Sequence, residues 1–205
     1  MTPTVLWRGS TDPSAPIVVL LHGRGSNERE IAGLADVLPL GPAYAAVRGP
    51  IDVGGGGYAW FENRGIGRPM AESLRTQLDW FWRWLDEVAP DRPVVVIGFS
   101  GGAAFAGGLA LDRPSRLAGV AVLYGTMPFD AGLSTDPDRL DGLAVFHAQA
   151  TEDAVIPRDL LDRTWAYLSG DAGALAVTHR HTGGHEISQS ILPSLRQWIT
   201  VRTTS

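Results

Sequence analysis

Three residues far apart along the chain are equipped for nucleophilic chemistry: Ser100, Asp153 and His185. Ser100 lies in Gly98-Phe99-Ser100-Gly101-Gly102, which fits G-x-S-x-G. With 25 glycines in the chain, a bare match means little, so the flanks decide. Val94-Val95-Val96-Ile97 before it suits a strand covered on both faces. Ala103, Ala104, Ala106 and Gly107 after it suit the start of a closely packed helix. A serine between such a strand and such a helix reads as a nucleophile elbow, a sharp turn that lifts the hydroxyl above the sheet. Side chains two positions either side would collide in that turn, hence Gly98 and Gly102.

A serine hydroxyl needs a base to take its proton and a third group to orient the base. His185 follows Thr182-Gly183-Gly184 and precedes a predicted helix, which places it on a loop at the carboxyl end of the last strand. His22 and His147 belong to strand patterns or precede the serine, and His179 and His181 share one face of the last strand. A metal reading of His179, His181 and His185 lacks an acidic or cysteine ligand, so no metal is expected. The orienting carboxylate falls in Thr151-Glu152-Asp153-Ala154-Val155-Ile156-Pro157, with Asp153 preferred over Glu152 and over Asp130 or Asp136. Asp153 would fix the imidazole tautomer and steady the imidazolium. The order Ser…Asp…His is that of elbow hydrolases. The oxyanion of an acyl-transfer intermediate needs backbone donors: the N–H of Gly101 and, from His22-Gly23-Arg24-Gly25, the N–H of Arg24. Gly23 and Gly25 leave room there for a substrate carbonyl.

The elements that must position these groups alternate along the chain. Strands are predicted at 5–8, 17–21, 44–47, 94–97, 117–123, 143–148 and 175–181, and helices at 27–38, 69–88, 157–168 and 186–199. Asn27 is placed to cap the first helix. In the second, Leu74, Leu78, Phe81, Trp82, Leu85 and Val88 form the buried stripe, leaving Trp80 and Trp84 as edge packing. Residues 51–68, with four consecutive glycines and then Tyr58-Ala59-Trp60-Phe61, read as a long loop. The pattern predicts an α/β protein whose mostly parallel sheet of about seven strands carries helices on both faces. At 205 residues it is expected to be one domain, 1–205.

Composition narrows the function. A hydrophobic share of 44% and a charged share of 19% are those of a soluble globular chain. The net charge of −5, with no basic run, argues against nucleic acid or an anionic membrane as partner. No cysteine is present, so neither a thiolate nucleophile nor a disulfide is available. The first residues lack a basic segment followed by an apolar one, which predicts a cytoplasmic protein, and no apolar run reaches the about 20 residues of a membrane span.

These pieces together resemble the phospholipase/carboxylesterase family of α/β-hydrolases. The resemblance rests on Leu21-His22-Gly23-Arg24-Gly25, Arg48-Gly49-Pro50, Trp60-Phe61, Gly98-Phe99-Ser100-Gly101-Gly102-Ala103, Asp153-Ala154-Val155-Ile156-Pro157 and Gly183-Gly184-His185-Glu186. It implies an α/β-hydrolase fold and a cofactor-free serine esterase with Ser100, Asp153 and His185 as triad. It also implies that Trp60 and Phe61 line the substrate pocket, with Met127-Pro128 near its rim. Two positions depart from the family pattern: Gly101 replaces the usual glutamine, and Gln149-Ala150 replaces a frequent His-Gly. No inserted lid domain is apparent, which favours small, short-acyl or aromatic esters. The same machinery would serve a thioesterase or acyltransferase, and a non-catalytic binding module is the reading from a different class. Apolar loop residues near Trp60 suit a pocket and a homodimer contact equally.

Overall fold

The structure, a computed structural model, describes residues 2–204. In chain order its elements are β1 (Val5–Gly9), β2 (Ile17–Leu21), α1 (Glu28–Ala32), β3 (Ala43–Val47), β4 (Ile51–Gly54), β5 (Gly57–Ala59), β6 (Asn63–Gly65) and β7 (Arg68–Pro69). There follow α2 (Ala71–Val88), β8 (Val94–Phe99), α3 (Gly101–Asp112), β9 (Gly119–Leu123), β10 (Ala144–Ala150), α4 (Arg158–Ala166), β11 (Leu175–His181) and α5 (Leu192–Thr203).

Seven strands form one sheet in the order β1-β3-β2-β8-β9-β10-β11. β1 pairs antiparallel with β3, and the other pairings are parallel. The unbroken apolar runs of β2 and β8 are explained by burial on both faces. Side chains alternate across the sheet. Ile17, Val19 and Leu21 join Leu74, Phe81 and Phe105 in one core, while Val18 and Leu20 join Ile31, Leu195 and Trp198 in the other. The doubly covered, mostly parallel sheet predicted from the alternation of elements is therefore the architecture found, with no separate lid domain among the described residues.

Four local readings change. Residues 51–68 are not one loop: β4–β5 and β6–β7 are two small antiparallel hairpins. The glycines that suggested a loop make their tight turns, with Gly54, Gly55, Gly56 and Gly67 all at positive φ. The first helix is shorter than predicted. Asn27 caps it, accepting from the N–H groups of Arg29 and Glu30, but α1 ends at Ala32 and gives way to a 3-10 turn, Gly33–Val37. The last helix begins at Leu192 after a 3-10 turn, Gln189–Ile191, rather than at Glu186. Pro193 explains the shift, because proline lacks an N–H and is tolerated only in a first turn. Trp84 is core rather than edge: it is buried and meets the Phe81 ring edge-on at 5.2 Å.

His147, on β10, is wholly buried. Its Nδ1 lies 2.9 Å from the Val122 carbonyl, and its Nε2 has no partner. Burial pushes its pKa down from 6.5 to about 4. The neutral imidazole is thus part of the fold, and the unfolded chain binds the extra proton between those values. Stability should therefore fall as pH drops from 6.5 towards 4, on the order of 3 kcal/mol from this group. Urea unfolding across that range should be markedly less pH-dependent in His147→Asn than in the native protein.

Candidate active site

β8 delivers Ser100 at the carboxyl edge of the sheet, and the chain turns at once into α3. Ser100 holds φ 56° and ψ −115°, outside the regions open to ordinary residues. Its N–H donates to the Leu123 carbonyl and its own carbonyl accepts from Ala103 and Ala104. The flanking glycines are steric necessities. A Cβ on Gly98 would strike the Gly102 carbonyl, and one on Gly102 would strike the carbonyls of Leu21 and His22. Nearly all of α3 is buried, so small residues bring this helix hard against the sheet.

Two loops close on the serine. β10 leads to Asp153, whose side chain is fully buried. Its Oδ1 accepts from the N–H groups of Val155 (2.8 Å) and Ile156 (3.0 Å), and its Oδ2 lies 2.8 Å from His185 Nδ1. Burial alone would raise this carboxyl, but the bonds from His185, Ile156 and Val155 outweigh it and hold the pKa below the usual 3.8. β11 leads to His185, whose Nε2 lies 2.8 Å from Ser100 Oγ. The two loops are stitched together, since Thr151 N–H donates to the His181 carbonyl and Glu152 N–H to that of Gly183. Behind His185 stands Phe99, ring to ring at 5.2 Å. The Tyr124 hydroxyl spans His181 Nε2 (2.7 Å) and the Ser188 N–H (3.2 Å), tying the end of β11 to the segment after His185.

A third loop, after β2, faces the serine from the other side. A Cβ built on Gly101 would stand 3.2 Å from the Arg24 nitrogen, so the two backbones lie close. Among the described residues, the N–H groups of Arg24 and Gly101 donate to no protein acceptor. Gly101 opens α3, where an N–H has no helical partner and the helix dipole favours negative charge. His22 holds the loop in place. Its Nε2 accepts from Gly49 N–H (2.9 Å), so the ring proton sits on Nδ1 and donates to the Gly23 carbonyl (2.7 Å). Burial lowers the His22 pKa and keeps this ring neutral. Trp60 Nε1 donates to the His22 carbonyl, and Arg48 makes a two-pronged bond to buried Glu28 at 2.7 Å on each arm. Sequence reasoning gave none of these bracing roles to His22, Glu28 or Tyr124. His22 and Tyr124 signalled only as polar side chains at the end of an apolar strand, and Glu28 as an ordinary acid in a helix's first turn.

A cavity of about 470 Å³ opens over Ser100 and His185. Its walls include Gly23, Arg24, Phe61, Phe99, Gly101, Ala104 and Ile156. Met127 does not line it, and Trp60 reaches only a small niche beside it, shared with Arg24, Asn63 and Gly101. Trp60 is buried behind Phe61, stacked 4.9 Å from Phe105, because its indole N–H is spent on His22. Met127 is buried against Gly107, and its neighbour Thr126 meets the cavity instead. Asn63 and Ile66 line it without having been singled out from the sequence, and Val155, read there only as part of the acid loop, joins them. His179 bonds Ser194 at 2.8 Å, away from His185, and no group of three His, Asp or Glu side chains among the described residues could hold a metal ion. Nor is any described helix long and apolar enough to cross a membrane.

Such a site can deprotonate a serine hydroxyl, hold the resulting imidazolium against a buried carboxylate, and offer two N–H donors to a developing oxyanion. The phospholipase/carboxylesterase family model matches residues 8–203. The chain belongs to this family. It is a hydrolase of the α/β-hydrolase fold. Among family relatives, the putative hydrolase MhqD of Bacillus subtilis is 27% identical over 187 residues, which cover 89% of this chain and 91% of that one. The Bacillus cereus carboxylesterase superposes with a TM-score of 0.84 at 25% identity, covering 98% of this chain and 94% of the other. A carboxylesterase from Mesorhizobium loti gives 0.80 at 22% identity, covering 98% and 99%.

The elbow geometry predicts that Gly102→Ala costs at least about 2 kcal/mol, since its methyl meets backbone rather than a movable side chain. Urea denaturation measures this directly.

Proposed function

We propose that this protein is a serine carboxylesterase that hydrolyses small carboxylic esters, short-acyl or aromatic, through an acyl-enzyme. The observation that carries this reading is the unbroken hydrogen-bond chain from Ser100 Oγ through His185 to buried Asp153. Ser100 attacks the ester carbonyl and His185 takes its proton. The tetrahedral oxyanion is held by the N–H groups of Gly101 and Arg24. His185 then protonates the departing alcohol, and the acyl group stays on Ser100. Water, deprotonated by His185, attacks the acyl-enzyme and releases the acid, and the proton returns to Ser100. Asp153, already ionised because its carboxyl is held low, balances the imidazolium in both halves of the cycle.

The preference for small esters is supported by the cavity's modest volume and by the lack of a lid domain among the described residues, so a long acyl chain would leave much of its surface in water. That the bond cleaved is an ester is supported by the similarity to the Bacillus cereus carboxylesterase.

Ser100→Ala should abolish p-nitrophenyl acetate turnover beyond what oxyanion binding alone provides, and Asp153→Asn should lower kcat by about 10⁴-fold by favouring the wrong tautomer of His185. Steady-state kinetics on folded variants check both, and full retained activity in either would contradict the mechanism.

A further inference from the structure

Two neighbouring residues at the carboxyl edge of the sheet share a strained backbone. β8 and β9 run parallel with Phe99 opposite Leu123, and the residue after each turns to positive φ: Ser100 at 56° and Tyr124 at 50°. A bulky side chain takes that conformation only where its surroundings impose it. At Ser100 the strain forms the elbow. Tyr124 takes no part in the chemistry, yet it is wholly buried and its chain is packed just as tightly: a Cβ on the next residue, Gly125, would strike the Ser100 carbonyl. The Tyr124 hydroxyl meets both ends of the loop that carries His185, with His181 Nε2 at 2.7 Å and the Ser188 N–H at 3.2 Å. His181 Nδ1 lies 2.8 Å from the Thr182 carbonyl, which can only accept, so that nitrogen carries a proton. Burial raises the phenol above its ordinary pKa, so the hydroxyl keeps its proton, donates it to Nε2 and accepts from Ser188. The Tyr124 ring also stands 6.2 Å from that of Phe99, which in turn stands 5.2 Å from that of His185. Tyr124 thus reaches the base by two routes, its hydroxyl through the ends of the loop and its ring through Phe99.

We propose that Tyr124 is a positioning residue for the general base: its hydroxyl, aimed by the strained backbone, clamps His181 to Ser188 so that the loop between them holds His185 Nε2 against Ser100. This rests on the esterase reading above and adds to it a group that touches neither substrate nor reacting atoms. Gly183 and Gly184 make that loop pliant. The bond from Glu152 N–H to the Gly183 carbonyl steadies its first half, and the Tyr124 hydroxyl joins its two ends. Ser188 is a fitting anchor, because its side chain caps the 3-10 turn that leads into α5. A displacement of about 1 Å at a catalytic group can cost on the order of 10²-fold in rate, so a loop merely loosened at its ends corresponds to about tenfold.

Tyr124→Phe keeps the ring against Phe99 and removes only the clamp. Its kcat on p-nitrophenyl acetate should fall about tenfold. KM should stay within about twofold, because one imidazole serves acylation and deacylation and both slow together. The first-order rate of Ser100 modification by excess alkyl fluorophosphonate should fall by a similar factor. That rate does not depend on how much of the sample is folded, so it separates a misplaced base from a loss of folded protein. His181→Leu removes the clamp from its other side and should give the same loss, and the double variant should be no slower than the slower single. His181→Gln returns an acceptor near the Nε2 position and should recover most of the rate lost in His181→Leu. Native turnover and labelling rates in both Tyr124→Phe and His181→Leu, a loss confined to KM, or equal losses in His181→Gln and His181→Leu would overturn the positioning role while leaving the esterase reading intact. A folded native protein that neither hydrolyses p-nitrophenyl acetate nor reacts with the fluorophosphonate would overturn both.

Discussion

The structure depends on one strained residue. Ser100 is held at φ 56° between a strand and a helix, a conformation that an isolated chain would abandon. It persists because β8 and α3 on either side are almost wholly buried, and because the two glycines remove the atoms that would forbid the turn. The strain has a chemical return. It lifts a hydroxyl clear of the sheet and puts the first free N–H of a buried helix next to it. Hydrophobic burial of two unremarkable elements thus stabilises a backbone shape that, under the proposed mechanism, serves reactivity.

Around that point the site is a problem of holding three loops still. The loops bearing Asp153 and His185 leave adjacent parallel strands and share backbone hydrogen bonds, so aspartate and imidazole are registered by the sheet itself. The loop bearing Arg24 is fixed differently, by neutral His22, the Trp60 indole and the Glu28–Arg48 pair. Breaking that pair would leave buried Glu28 with only the exposed Arg29, 3.9 Å away, which is why it matters more than the exposed pairs elsewhere on the surface. These braces reach the reacting atoms only through backbone, so they position donors and take no proton.

Much of this was legible in the residues and some was not. The strand-and-helix alternation was plain, because runs such as Val94–Ile97 and the stripe of α2 are strong periodic signals. The elbow was legible because its flanks, not its five-residue pattern, are distinctive. The hairpins of residues 51–69 were hidden, since glycine turns and a loop have the same composition, and only pairing partners separate them. Trp60 and Met127 lie behind the cavity wall because residue type says nothing of depth: one indole bond to His22 turns Trp60 inward and leaves Phe61 at the surface of the cavity. Asn63 carried no signal at all. Only the folded chain brings it to the cavity wall.

The central claim is that Ser100 is the atom donor for a covalent acyl-enzyme. Intact-protein mass spectrometry after reaction with an alkyl fluorophosphonate, followed by peptide mapping, tests it most directly. A single phosphonyl adduct on the peptide containing Ser100, absent when the protein is first unfolded, is the predicted result. A folded protein that takes up no adduct, or that carries it on another side chain, would contradict the account.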